Sequence, residues 1–136
     1  MRLADKRFVC GRVLQVEGEE LPTKLQSFFG GLHSWIGAAP PTPVEVRAAG
    51  FSHYGAMHVR AIKETGTAVA GHVPLSRDLR EIPTLIDSVG GPASYILKGV
   101  KWVRPAERNE WGRLPVLGFW GLDYILQLAE EHHRAQ

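Results

Sequence analysis

The spacing of apolar residues divides the chain into short extended stretches followed by one helix. Residues 8–16, Phe-Val-Cys-Gly-Arg-Val-Leu-Gln-Val, are rich in β-branched side chains and predict a well-buried strand, with Gly11 marking a bulge or a close backbone approach. Next, Thr23 is placed to cap a short helix in which Leu25, Phe28, Phe29 and Leu32 fall at helical spacing. Gly30-Gly31 works against that helix, since each glycine costs about 1 kcal/mol in a helix interior. Residues 38–43, Ala-Ala-Pro-Pro-Thr-Pro, form a loop, and the alternation of Val44-Glu45-Val46-Arg47 predicts a short extended segment.

Residues 56–63 and 67–73 read as two strands joined at Glu64-Thr65-Gly66-Thr67, a hairpin that Pro74 closes. Residues 75–93 are connecting structure, punctuated by Pro83 and Gly90-Gly91-Pro92. Ser94–Lys98 predicts a strand, and Lys101–Arg104 continues it past Gly99 as far as Pro105. From Gly118 the period becomes helical: Leu122, Ile125, Leu126 and Ala129 form a stripe, Tyr124 and Leu128 lie beside it, and residues 130–134 make a polar end. The pattern as a whole predicts a single α+β domain over residues 1–136. Its main part is a curled, antiparallel sheet with a C-terminal helix packed on it and a short helix near residues 23–36.

Composition agrees with a packed core, because 44% of the 136 residues are hydrophobic and only 22% are charged. The net charge of +2 is spread along the chain, without the basic excess of a strong nucleic-acid binder. Cys10 is the sole cysteine, so no intrachain disulfide forms, and a reducing cytoplasm is expected. The first residues lack the apolar run of a signal peptide, and no stretch approaches the roughly 18–20 apolar residues of a membrane helix.

Candidate chemistry is sparse. Six histidines occur without the Cys-x-x-Cys or His-Glu-x-x-His spacing of a zinc site, so neither a metal nor a cofactor is expected. His53 and His58 sit on neighbouring segments and read as paired polar sheet residues ahead of a converging metal pair, while His132 and His133 read as a solvated helix end. Cys10, in a valine-rich strand, reads as a small buried apolar residue rather than a nucleophile. With no nucleophile elbow and no phosphate loop, no catalytic residue is assigned. Glu17, Glu19 and Glu20 form either a solvated turn or a patch facing a basic partner. In segment 98–113, Lys98, Lys101, Arg104, Arg108 and Arg113 interleave with Trp102 and Trp111. That pattern grips single-stranded nucleic acid by stacking and charge, or supplies the Trp and Arg anchors of a protein interface, or is core flanked by surface charge. Glu107 and Glu110 dilute its field.

Two runs carry a family resemblance: Gly11-Arg12-Val13-Leu14, and Gly71-His72-Val73-Pro74-Leu75 followed by Leu79-Arg80-Glu81-Ile82-Pro83. Over roughly residues 8–104 the chain resembles the immunity protein 26 family of bacterial polymorphic-toxin systems. The Pro-rich run at 38–43 and the C-terminal helix depart from that pattern. The resemblance implies a cytoplasmic, non-enzymatic protein that binds a cognate toxin domain and neutralises it. Glu17, Glu19, Glu20, Trp102, Arg104, Arg108 and Trp111 are then the candidate partner-binding residues. The alternatives are a nucleic-acid-binding module using segment 98–113, or another inhibitor such as a phage anti-defence protein.

Overall fold

The computed structural model describes residues 1–16, 27–64, 66–74, 82–88 and 90–134. Its central element is strand β2 (Ser27–Gly37), paired antiparallel with β1 (Phe8–Val16) on one side and β3 (Phe51–His58) on the other. Phe28 and Leu32 are buried on one face of β2 and Phe29 on the other. A strand covered on both faces loses its polar alternation, so these residues acquire a helix-like spacing that the fold does not use. The expected helix is therefore replaced by strand from Ser27 onward, and residues 23–26 lie outside the described residues. The glycine pair explains the choice. A Cβ at Gly30 would lie 2.5 Å from Met57 Cε, and one at Gly31 would lie 2.7 Å from Phe51 Cε1, so side chains of β3 fold over the bare backbone. Strand β7 (Phe119–Trp120) adds parallel to β3, giving the order β1-β2-β3-β7.

A second, three-stranded antiparallel sheet follows the order β4 (Thr84–Ile86), β5 (Tyr95–Lys98), β6 (Lys101–Pro105). The chain does not run straight past Gly99. Lys98 pairs with Lys101, and Gly99, at φ 64°, turns the strand back on itself in a two-residue loop. Gln15 of β1 ties this loop to the first sheet, because its Oε1 accepts the Val100 N–H at 2.9 Å.

Helix α3 (Leu122–Arg134) covers one face of the first sheet, where Ile125, Leu128 and Ala129 meet Leu3, Val9, Phe28, Leu32, Met57 and Trp120. On the opposite face, Leu14 and Phe29 pack against Leu85 and Leu97 of the second sheet. The architecture is α+β, with largely antiparallel sheets and a C-terminal helix, and it holds two stacked sheets where the pattern suggested one curled sheet.

Two local expectations are corrected. Residues 44–47 are not extended but lie in helix α1 (Pro43–Ala48). Thr42 caps it, Pro43 starts it, and Glu45 Oε2 accepts the Thr42 N–H at 2.7 Å, a reciprocal cap that outweighs the alternation. The hairpin over 56–73 does not form either. Both edges of β3 are already taken by β2 and β7, and the chain leaves it through helix α2 (Arg60–Glu64). Residues 66–74 carry no strand, and Gly71-His72-Val73-Pro74 runs beside the first sheet, with Arg12 Nη2 donating to the Val73 carbonyl at 2.9 Å. Among the described residues no helix is long and apolar enough to cross a membrane.

Candidate functional site

The β5–β6 hairpin carries the most exposed aromatic surface that the sequence singled out. Tyr95 is braced at its backbone: its N–H donates to Asp87 Oδ1 at 2.9 Å and its carbonyl accepts the Asp87 N–H at 3.1 Å. Ser88 and Ser94 hydroxyls bond at 2.7 Å beside it. The Trp102 ring stacks on the Tyr95 ring, with centroids 4.7 Å apart and planes 21° from parallel. One face of the indole is thus covered, yet Trp102 stays 70% exposed and Val103 59% exposed. All five residues of β6 are exposed.

Arg104 is not a free cation. Its guanidinium grips Glu110 with two bonds, of 2.8 and 2.6 Å, and Glu110 Oε2 also accepts the Glu107 N–H at 2.8 Å. These bonds hold the Glu110 carboxyl down at about 2. The pair stiffens the bend after β6 and removes one positive charge from the surface. Arg108 is exposed in the short 3-10 turn Arg108–Glu110. Lys98, Lys101 and Arg113 are exposed too, without a carboxylate partner among the described residues. Trp111 is part of the interior framework: its Cβ packs where a Cβ on Gly90 (φ 113°) would sit 2.6 Å away, and its indole N–H is buried without a partner among the described residues.

Trp102, Arg104 and Arg108 are therefore exposed, while Trp111 is half-buried against Gly90. Glu17, Glu19 and Glu20 lie outside the described residues. Tyr95, which backs Trp102, is not singled out by the sequence pattern. Once Gly99 is recognised as a turn, Tyr95 falls diagonally across from Trp102, within reach of an aromatic contact.

The histidines behave differently from expectation. His53 and His58 do not converge, because five positions along one strand put them on opposite faces. His58 Nδ1 accepts the Arg60 N–H at 3.1 Å. His133 is no solvated helix end. It is only 6% exposed, and both ring nitrogens lack a partner among the described residues. The signal was present, since Ala129 plus one helical turn lands on His133 and continues the buried stripe. The His132 ring meets His133 at 4.9 Å and His53 at 5.9 Å, edge to face, at the seam between α3 and β3. Burial pushes His53 and His133 below the ordinary imidazole range. Among the described residues no group of three His, Cys, Asp or Glu side chains is arranged to hold a metal ion. Cys10 is half-buried and its thiol is pushed up by burial, which lowers its nucleophilic fraction.

A shallow recess of about 80 Å³, partly open to solvent, is lined by Leu3, Ala4, Asp5, Arg7, Glu130 and Arg134. Its charges pair with one another, Arg7 with Asp5 at 2.7 Å and Arg134 with Glu130 at 3.1 Å. Compared with known proteins, the chain matches no family model, no curated protein and no solved structure.

Proposed function

We propose that this chain is a non-enzymatic immunity protein that binds a cognate bacterial toxin domain in the producer's cytoplasm and neutralises it by occlusion. The observation that carries this reading is Trp102, a large aromatic left 70% exposed on a hairpin that is otherwise held rigid. Tryptophan and arginine dominate the energetics of protein interfaces, and a pre-ordered anchor loses little entropy on docking. A standard interface takes about 800 Å² from each partner, under a tenth of the 9041 Å² this chain exposes. The resemblance through Gly11–Leu14 and Gly71–Leu75 points the same way.

Co-expression with the toxin domain encoded beside this gene tests the proposal. The wild-type chain should restore growth and co-purify with the toxin. Trp102→Ala should weaken binding by roughly 30-fold or more, the range of an interface hot spot. A chain that neither protects nor binds would refute the reading.

Nucleic-acid binding is the second reading, favoured by the basic residues of segment 98–113. Two features weaken it: Arg104 is neutralised by Glu110, and Tyr95 already occupies one face of Trp102. That reading requires binding that weakens steeply as salt rises.

A further inference from the structure

We infer that the β6 edge docks an acidic, extended segment of a protein partner, with an apolar side chain of that segment set against the open face of Trp102. The inference rests on the binding role proposed above and specifies its occupant.

Among the described residues strand β6 pairs with β5 on one side only. Lys98 and Lys101 flank a two-residue loop and form the hydrogen-bonded pair. The next residue, Trp102, therefore turns its N–H and carbonyl away from β5. Of the other edge strands, β1 and β4 are engaged, and β7 is only two residues long. The start of β1 is covered by the Val9 N–H bond to Met1 and its middle by the Arg12 bond to Val73, while Ile86 of β4 bridges to Val116. The β6 edge is short, for the register shifts at Val103 and Pro105 ends the strand, with its carbonyl accepting from Arg104 at 3.1 Å. Bulges, lysines and a terminal proline discourage indiscriminate edge pairing. A partner held here gains few backbone bonds, so affinity has to come from Trp102, Val103 and charge.

The charge selects the sign of the partner. Segment 98–113 holds five cations, Lys98, Lys101, Arg104, Arg108 and Arg113, against two carboxylates, Glu107 and Glu110, a local excess of three in a chain whose net charge is +2. With Arg104 and Glu110 cancelling each other, the segment keeps four cations and a single carboxylate. A free strand edge suits a polypeptide better than a polynucleotide, because its outward groups are one backbone donor and one backbone acceptor.

The test uses the full chain, isotopically labelled, and four probes: an alternating Val-Glu peptide of about ten residues, its Val-Lys counterpart, single-stranded oligothymidine, and the chain itself at rising concentration. The Val-Glu peptide should shift the amides of residues 101–104 and slow exchange at Trp102. Its affinity should fall at least tenfold when salt rises from about 0.05 M to about 0.3 M, and Lys98→Glu with Lys101→Glu should abolish binding without unfolding the chain. Equal binding of both peptides, or of neither, overturns the inference. So does oligothymidine shifting the same amides more strongly, or self-association protecting β6. If the toxin is neutralised but these amides are unaffected in its complex, only this inference falls. If the peptide binds and no toxin is neutralised, the functional reading falls instead.

Discussion

His133 is the residue whose surroundings are least expected of its type. An imidazole buried with neither nitrogen paired among the described residues is tolerable only when neutral, because the charged form loses its hydration without compensation. Burial first, then the neighbouring His132 and Arg7, push it down from 6.5, while Asp5 pulls weakly the other way. His53, across the seam on β3, is lowered by burial and by His132, with Glu131 opposing. His33 is lowered by burial as well, despite its bond to the Ala49 carbonyl. In the unfolded chain these rings protonate near their ordinary value, so the unfolded state binds more protons just below it. Stability should therefore be complete above about pH 6.5 and fall as the pH drops below that value, levelling once the folded-state values are passed. Urea midpoints measured from about pH 7.5 to about pH 5 should decline, and His133→Leu should flatten that decline. A flat wild-type profile would contradict the burial of these rings. Gly55 makes a steric counterpart. A Cβ there would stand 2.6 Å from Trp120 Cδ2, inside a buried indole that has no room to retreat. Gly55→Ala should lose about 1–3 kcal/mol, as overpacked cores do, read as a lower midpoint in the same titration.

Among the elements, α1 shows how a local device overrides a pattern. Its residues alternate as a strand would, but the Thr42–Glu45 cap and Pro43 at its start fix the helix. None of its residues is buried, so little tertiary packing supports it. Thr42→Ala should cost about 1 kcal/mol, visible as faster amide exchange over residues 43–48 with almost no change in global melting. A loss felt equally by β2 would show α1 to be part of the cooperative core. The elements legible in the sequence are those whose signal is local: the β-branched run of β1, the strands of β5 and β6, and the stripe of α3. The illegible ones depend on distant partners. Phe28, Phe29 and Leu32 look helical because β2 is buried on both faces by elements that the local spacing does not announce. The return strand after Gly66 fails because β7, more than fifty residues later in the numbering, takes the edge it needs. At the candidate surface, Trp102 and Arg104 were legible as an interleaved basic-aromatic run. That Glu110 neutralises Arg104 and that Tyr95 backs Trp102 follows from the turn at Gly99, which the sequence pattern ran straight through.

In the whole molecule, the first sheet separates two cores that share β2 as a common wall. Phe28 belongs to the core under α3 and Phe29 to the core between the sheets, so a one-residue slip of β2 would exchange both faces at once. Register is doubly fixed there. The second sheet joins this frame through Leu85 and Leu97 and through the Gln15 bond to Val100, and at its far side β6 contributes no buried residue. Replacing Trp102 and Val103 with other strand-forming residues, with the Arg104–Glu110 pair left in place, should shift the melting temperature by only a few degrees, since changes at exposed positions usually stay within about 0.5 kcal/mol each. A large drop would mean that the Tyr95–Trp102 stack is structural rather than presented. For descent with modification, an outer strand that contributes no buried residue is an address open to editing. Substitutions in β6 leave both cores untouched, whereas any comparable change in β2 disturbs the two at once.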